Sequence, residues 1–159
     1  MFQKVLEYAG KYRKTTYLSM VVMLIGIVMN VLPFLFLYQL IRPLLTGAPV
    51  EIGFIAWRVA AIALCGILYA VLYVKGLSLS HRAAYNTLKN LRLSLQGKLE
   101  KQPLGVIQEK GVGALKKMFI DDIDSIELLL AHALPEGLAN LAVPAFVFLA
   151  MFFVDWKLA

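Results

Sequence analysis

Two amides, each with a nearby proline, interrupt otherwise apolar runs: Asn30 with Pro33, and Asn140 with Pro144. Between the last two apolar runs lies a hydrophilic bend, residues 103–127, PLGVIQEKGVGALKKMFIDDIDSIE. The chemistry open to these residues is recognition and the transmission of force, not bond making. An amide in an apolar helix usually faces protein or a water-filled cavity, and a proline frees a carbonyl and bends the helix. Asn30, Pro33, Asn140 and Pro144 are therefore candidates for the lining of a substrate pathway, with helix-to-helix packing as the other reading. Covalent and metal chemistry find no support. Cys65, the only cysteine, lies in an apolar run and reads as a small packing or lipid-facing residue. His81 and His132 have no ligand-like spacing, and each reads as a helix-surface or packing residue. No paired intramembrane acids and no nucleophile–base set are visible. A phosphate loop, G-x-x-x-x-G-K-[ST], is also absent; Gly111-Val112-Gly113 before Lys116-Lys117 has neither its spacing nor a preceding strand.

The elements that hold these residues are apolar helices. The chain has 159 residues, 60% of them hydrophobic, with a mean hydropathy of +0.74. A soluble domain holds roughly 45–50% apolar residues, so the excess belongs in a bilayer. No charge falls between Lys14 and Arg42, and residues 15–41 form a first span, longer than the roughly 20 residues a helix needs to cross. It is too long for a signal peptide. A second span starts near residue 54 and is charge-free over 59–74, with Trp57 and Arg58 at one end and Lys75 at the other. Ala56, Ala60, Ala63, Gly66 and Ala70 offer it small residues for close helix contact. A third span covers about 134–154 and ends at Asp155-Trp156-Lys157, an interfacial turn.

The net charge is +6, and its distribution sets the orientation. Lys4, Lys11, Arg13 and Lys14 precede the first span; Lys75, Arg82, Lys89, Arg92 and Lys98 follow the second with no acid among them. The connection at 42–58 carries only Arg42 and Arg58 against Glu51. Basic flanks mark the cytoplasmic side, so the N-terminus and residues 75–136 are expected in the cytoplasm. Basic groups are not clustered on an aromatic-interleaved surface, which argues against nucleic acid. Residues 1–14 place Phe2, Val5, Leu6, Ala9 and Tyr12 at helical spacing, as in an interfacial amphipathic helix; a frayed basic terminus is the alternative.

The second span does not stop at the membrane. Ala84, Leu88, Leu91, Leu95 and Leu99 continue its helical spacing as far as Pro103, so the helix covers about 54–102. From Ser80 to Gln102 it extends about 35 Å at about 1.5 Å per residue. Gly105, Gly111 and Gly113 mark breaks around a short segment, residues 104–109. A further helix starts near Gly113, carries Leu115, Phe119, Ile123, Ile126 and Leu130 on one face, and runs on to 154. The two arms are opposite in charge: Asp121, Asp122, Asp124, Glu127 and Glu136 answer the basic residues of 75–98. Folding back about residue 108 brings Arg92 level with Asp124 and Lys89 level with Glu127, as pairs that set register or as separately solvated faces.

Pro103-Leu104, Gly113, Leu115, Asp122-Ile123 and Ile126-Glu127, in this order and spacing, resemble the first cytoplasmic loop of ABC transporters of the exporter fold. The resemblance extends over the whole chain. Val106-Ile107 stand where that family has an aromatic pair, Gln108 where it has an acid, and Met118 at a usual basic position. HRAAYNTLKNLR (81–92), PLG (103–105) and IELLLAHALPE (126–136) are similar to a siderophore-linked branch, some members of which import ferric siderophores. The resemblance implies an all-α membrane protein, with three transmembrane helices forming the first half of a six-helix transmembrane domain and long cytoplasmic extensions. It implies that residues 15–159 are part of that domain and that the chain is an N-terminal fragment. It implies that Leu104, Gly105, Val106, Ile107, Gln108 and Glu109 form a coupling helix against a nucleotide-binding domain. This chain would hold no cofactor and have no catalytic activity; ATP and magnesium would act in the full-length transporter. Partners would be that domain, a second transporter half in a homo- or heterodimer, the lipid bilayer and a small-molecule substrate, in a bacterial cytoplasmic membrane. The competing reading is a complete three-span protein whose cytoplasmic hairpin binds a partner.

Overall fold

The computed structural model describes residues 7–47 and 49–154. Every regular element among them is helical: α1 (Arg13–Thr46), α2 (Ile52–Leu99), α3 (Leu104–Lys117), α4 (Ile123–Leu128) and α5 (Pro135–Val154). Among the described residues three helical stretches are long and apolar enough to cross a membrane: Glu7–Thr46, Ile52–Leu99 and Leu104–Phe152. The chain divides into two compact units, one from the N-terminal residues through Met20 with Leu77–Pro135, the other from Val21–Gly76 with the residues from Glu136 onward.

In the first unit the N-terminal segment is helical from Glu7, tightens into a 3-10 turn at Gly10–Tyr12 and enters α1. Gly10 takes φ +51°, a conformation that costs glycine little. Phe2, Val5 and Leu6, which define the expected amphipathic face, lie outside the described residues. The buried hydroxyls of Thr16 and Ser19 donate to the carbonyls of Tyr12 and Thr16 in their own helix, at 3.4 and 2.7 Å. In the hairpin of this unit, Ala84 is buried against Leu130 and Ala131, with Ile126 and Leu134 around them. Ile123 and Leu88 are buried as well. The leucine spacing of α2 thus writes the packed face, as it should for a helix with one apolar side.

Several boundaries differ from the sequence expectation. The first helix continues past Arg42 to Thr46, through Pro33 and Pro43. It ends where Thr46 Oγ1 turns back onto the carbonyls of Arg42 and Pro43 and Gly47 takes φ +66°. α2 ends at Leu99, with Gln102 N–H closing a turn on Leu99 O at 2.9 Å ahead of Pro103. Of the three glycines expected to break the next segment, only Gly111 leaves the helical region, at φ +73° and ψ 153°; Gly105 and Gly113 lie within the helix. The arm beyond it contains two widened i→i+5 turns, Met118–Asp122 and Leu129–Ala133.

In the second unit Ile27, Val31 and Ala139 form a buried cluster, with Leu24, Ala142, Val143 and Phe146 packed on it. α1 and α5 meet there. The small residues expected to bring the second span close to a neighbour do not do so: Ala56, Ala60, Ala63, Gly66 and Ala70 are all exposed. The close approach is at Gly26 of α1, where an added Cβ would stand 3.5 Å from Leu72 Cβ. Cys65 is buried. Asp155-Trp156-Lys157 lie outside the described residues.

Candidate functional site

The candidate site is the hairpin formed by the end of α2, the bend and α3. Pro103 has extended backbone (φ −58°, ψ 144°) and lacks an N–H, so it begins a helix without interrupting one. Val106 N–H bonds Pro103 O at 3.0 Å and starts the segment Leu104 to Lys110, which ends at the Gly111 kink. Leu104, Gly105, Val106, Gln108 and Glu109 are exposed, and Ile107 is half-buried. Val106 and Ile107 line one side of a cavity of about 280 Å³. Leu95, Leu99 and Met118 form its other walls, with Lys98, Gln102 and Lys110 around it. The short helix thus lies between the two arms with one side exposed.

Polar contacts fix the arms of this unit. Arg92 Nη2 donates to Asp124 Oδ1 at 2.6 Å as an ion pair, with both side chains about half exposed. Arg92 Nε also points at Phe119 O, 3.4 Å away. Lys89 and Glu127 make no ion pair. Glu127 instead partners Tyr85, and its charge and hydrogen bond raise the Tyr85 hydroxyl above its ordinary pKa of 10.0. The helical repeat explains the difference. At about 100° per residue, Lys89 lies further round α2 from the buried Ala84–Leu88 side than Arg92 or Tyr85 does.

Three contacts of this unit were not legible in the sequence. Ser80 is buried, and its hydroxyl lies 3.0 Å from Leu130 O and 2.9 Å from Ala131 O, within the second widened turn. Such a turn leaves carbonyls without their usual i+4 partners, and a hydroxyl from the facing arm supplies a donor. Asn90 Nδ2 donates to Tyr8 O at 3.0 Å and ties the N-terminal segment to α2. His81 and His132 stack edge-to-face, ring centres 4.9 Å apart. The packing role expected of each is thus met by the other, although their sequence separation gives no sign of it. No group of three or more metal-ligating side chains occurs among the described residues.

The amide–proline positions lie in the second unit. Asn30 and Pro33 are half-buried on α1; Asn140 and Pro144 are exposed on α5. All four fall outside the cluster that joins α1 to α5. Neither amide makes a side-chain hydrogen bond to another described residue. Near the Glu136 end of α5, Tyr73 OH donates to Glu136 Oε1 at 3.4 Å.

Residues 16–159 match the ABC transporter transmembrane region, and the chain belongs to that family. The resemblance drawn from the bend is thereby confirmed, and the match is to a membrane region, with no ATPase domain within these residues. Among relatives, the mycobactin import ATP-binding/permease protein IrtA of Mycolicibacterium smegmatis is 30% identical over 148 residues, 92% of this chain and 17% of that protein. IrtA of Mycobacterium tuberculosis is 34% identical over 132 residues, 80% of this chain and 15% of that protein. The chain therefore spans about a sixth of the length of these relatives.

Proposed function

We propose that this chain supplies the first coupling helix and part of the substrate pathway of an ATP-driven transporter. The helix is residues 104–109. The observation that carries this reading is the form of the bend: a short helix between Pro103 and Gly111, exposed on one side, with the two arms lining a cavity behind it. A stiff helical arm passes a displacement along its length, whereas a loop absorbs it. In the full-length transporter an ATP-hydrolysing domain presses on this helix, and the arms carry the motion to the spans and change which side the pathway faces. Asn30, Pro33, Asn140 and Pro144 are the candidate lining, because they stand off the packed α1–α5 face and the Asn30 and Asn140 amides make no side-chain hydrogen bond to another described residue. The N-terminus and the hairpin are cytoplasmic, and a second transporter half completes the pathway.

The names of the relatives point to the substrate class, a siderophore-like small molecule. The test of the docking site is a cross-link. With cysteine in place of Ile107 in the full-length transporter, and a second cysteine scanned over the nucleotide-binding domain, oxidation should join the two and be impeded by trapping the ATP-bound state. If no position on that domain cross-links to 107 while positions elsewhere do, the coupling assignment is wrong. Uptake of a labelled ferric siderophore, abolished by loss of the transporter, checks the substrate class.

A further inference from the structure

We propose that Arg58 is an anion-binding residue at the N-terminal end of α2, taking a phosphate or carboxylate group on the edge of its guanidinium. Its Cζ lies 4.9 Å from the ring centre of Phe54, one turn earlier on α2, and 5.8 Å from that of Phe36 on α1. The two rings hold the cation by its faces, through the negative face of each ring. They leave its N–H donors unclaimed. Arginine has five such donors and no acceptor. Among the described residues Arg58 makes no hydrogen bond or ion pair, and its Nε is buried without a partner. Glu51, the nearest acid in sequence, is exposed and makes no ion pair with it.

A cation at the edge of an apolar span, with a buried unpaired donor, is unfavourable unless something answers it. The planar fork fits two oxygens of one phosphate or carboxylate. Both rings lie within cation–π reach of the guanidinium and restrain it before the anion arrives. One source of the anion is the headgroup of a phospholipid, since the adjoining Trp57 is 65% exposed, as interface residues are. The other is the anionic group of a transported solute. The inference rests on membrane-family membership and local geometry, and is independent of the coupling helix.

The full-length transporter, delipidated in an uncharged detergent, tests it by thermal unfolding at constant ionic strength. The probes are short-chain phosphatidylglycerol and inorganic phosphate. At least one should raise the unfolding midpoint of the wild type, and Arg58→Gln should weaken that response by roughly tenfold or more in half-saturating concentration. Arg58→Lys should keep part of it, and Phe54→Leu should weaken it with the charge intact. A response to the lipid alone assigns the headgroup. A response to inorganic phosphate that Arg58→Gln removes assigns a soluble anion. If Arg58→Gln folds poorly, Arg58→Lys and Phe54→Leu carry the same comparison. The proposal fails if the wild type responds to neither probe, or if the variants respond as the wild type does.

Discussion

Arg92 and Asp124 show how little a visible ion pair has to contribute in order to matter. Both side chains are about half exposed, and water screens such a pair to about 0–1 kcal/mol. Reversal of Arg92 to Glu should therefore lower stability by no more than about 1 kcal/mol, and Asp124→Arg in the same chain should restore most of that loss. A double-mutant cycle by thermal unfolding measures it; a coupling near zero would mean the pair contributes nothing to register. Charge segregation between the arms was plain in the sequence. Which charges would meet was not, because that depends on the rotation of each helix, and so Lys89 gave way to Tyr85 at Glu127. The Tyr85 hydroxyl titrates above its ordinary 10.0 because Glu127 disfavours the phenolate. Above pH 10 the unfolded chain loses this proton first, so stability falls as the pH climbs through the raised value. Tyr85→Phe should leave unfolding at neutral pH nearly unchanged and flatten the loss of stability above pH 10.

At the scale of elements, the hairpin depends on one glycine. Gly111 has φ +73° with ψ 153°, a region open essentially to glycine alone. Gly111→Ala should cost about 1–3 kcal/mol and show as faster hydrogen exchange over residues 104–117. The same change at Gly105 or Gly113, both helical, should be neutral or mildly stabilising. Sequence placed a break in this stretch but could not choose among three glycines, since backbone sign is decided by how the arms meet. The widened turns were hidden for the same reason. Ser80 on α2 answers the second of them, Leu129–Ala133, and Ser80→Ala should remove the donor from Leu130 and Ala131 at a cost of about 1–3 kcal/mol, read by thermal unfolding. By contrast the long apolar runs, and the faces built on Leu88 and Ile123, were legible from end to end. Burial and bilayer length impose a periodicity that any sequence adopting them must display. Among the described residues the small-residue stripe on α2 faces outward and meets no other helix. Gly26 carries the contact instead, beside Leu72. Alanine there meets ordinary van der Waals contact, whereas Gly26→Leu should separate the helices and sharply lower the folded yield.

At the scale of the molecule, family membership covers residues 16–159, and the chain accounts for about a sixth of the relatives' length. What it contributes to transport therefore has to be tested within the full-length protein. Pro103 starts the short helix of the bend and the Gly111 kink ends it, between the two arms. The proposed task of residues 104–109 is to turn ATP hydrolysis into movement of the spans. The most direct measurement is the ratio of substrate transported to ATP hydrolysed in vesicles, with Val106 and Ile107 each replaced by proline to break the short helix. The account predicts normal membrane insertion, continuing hydrolysis and a ratio lowered roughly tenfold or more, the loss expected when about 1.4 kcal/mol of coupling is removed. A ratio equal to that of the wild type would contradict it.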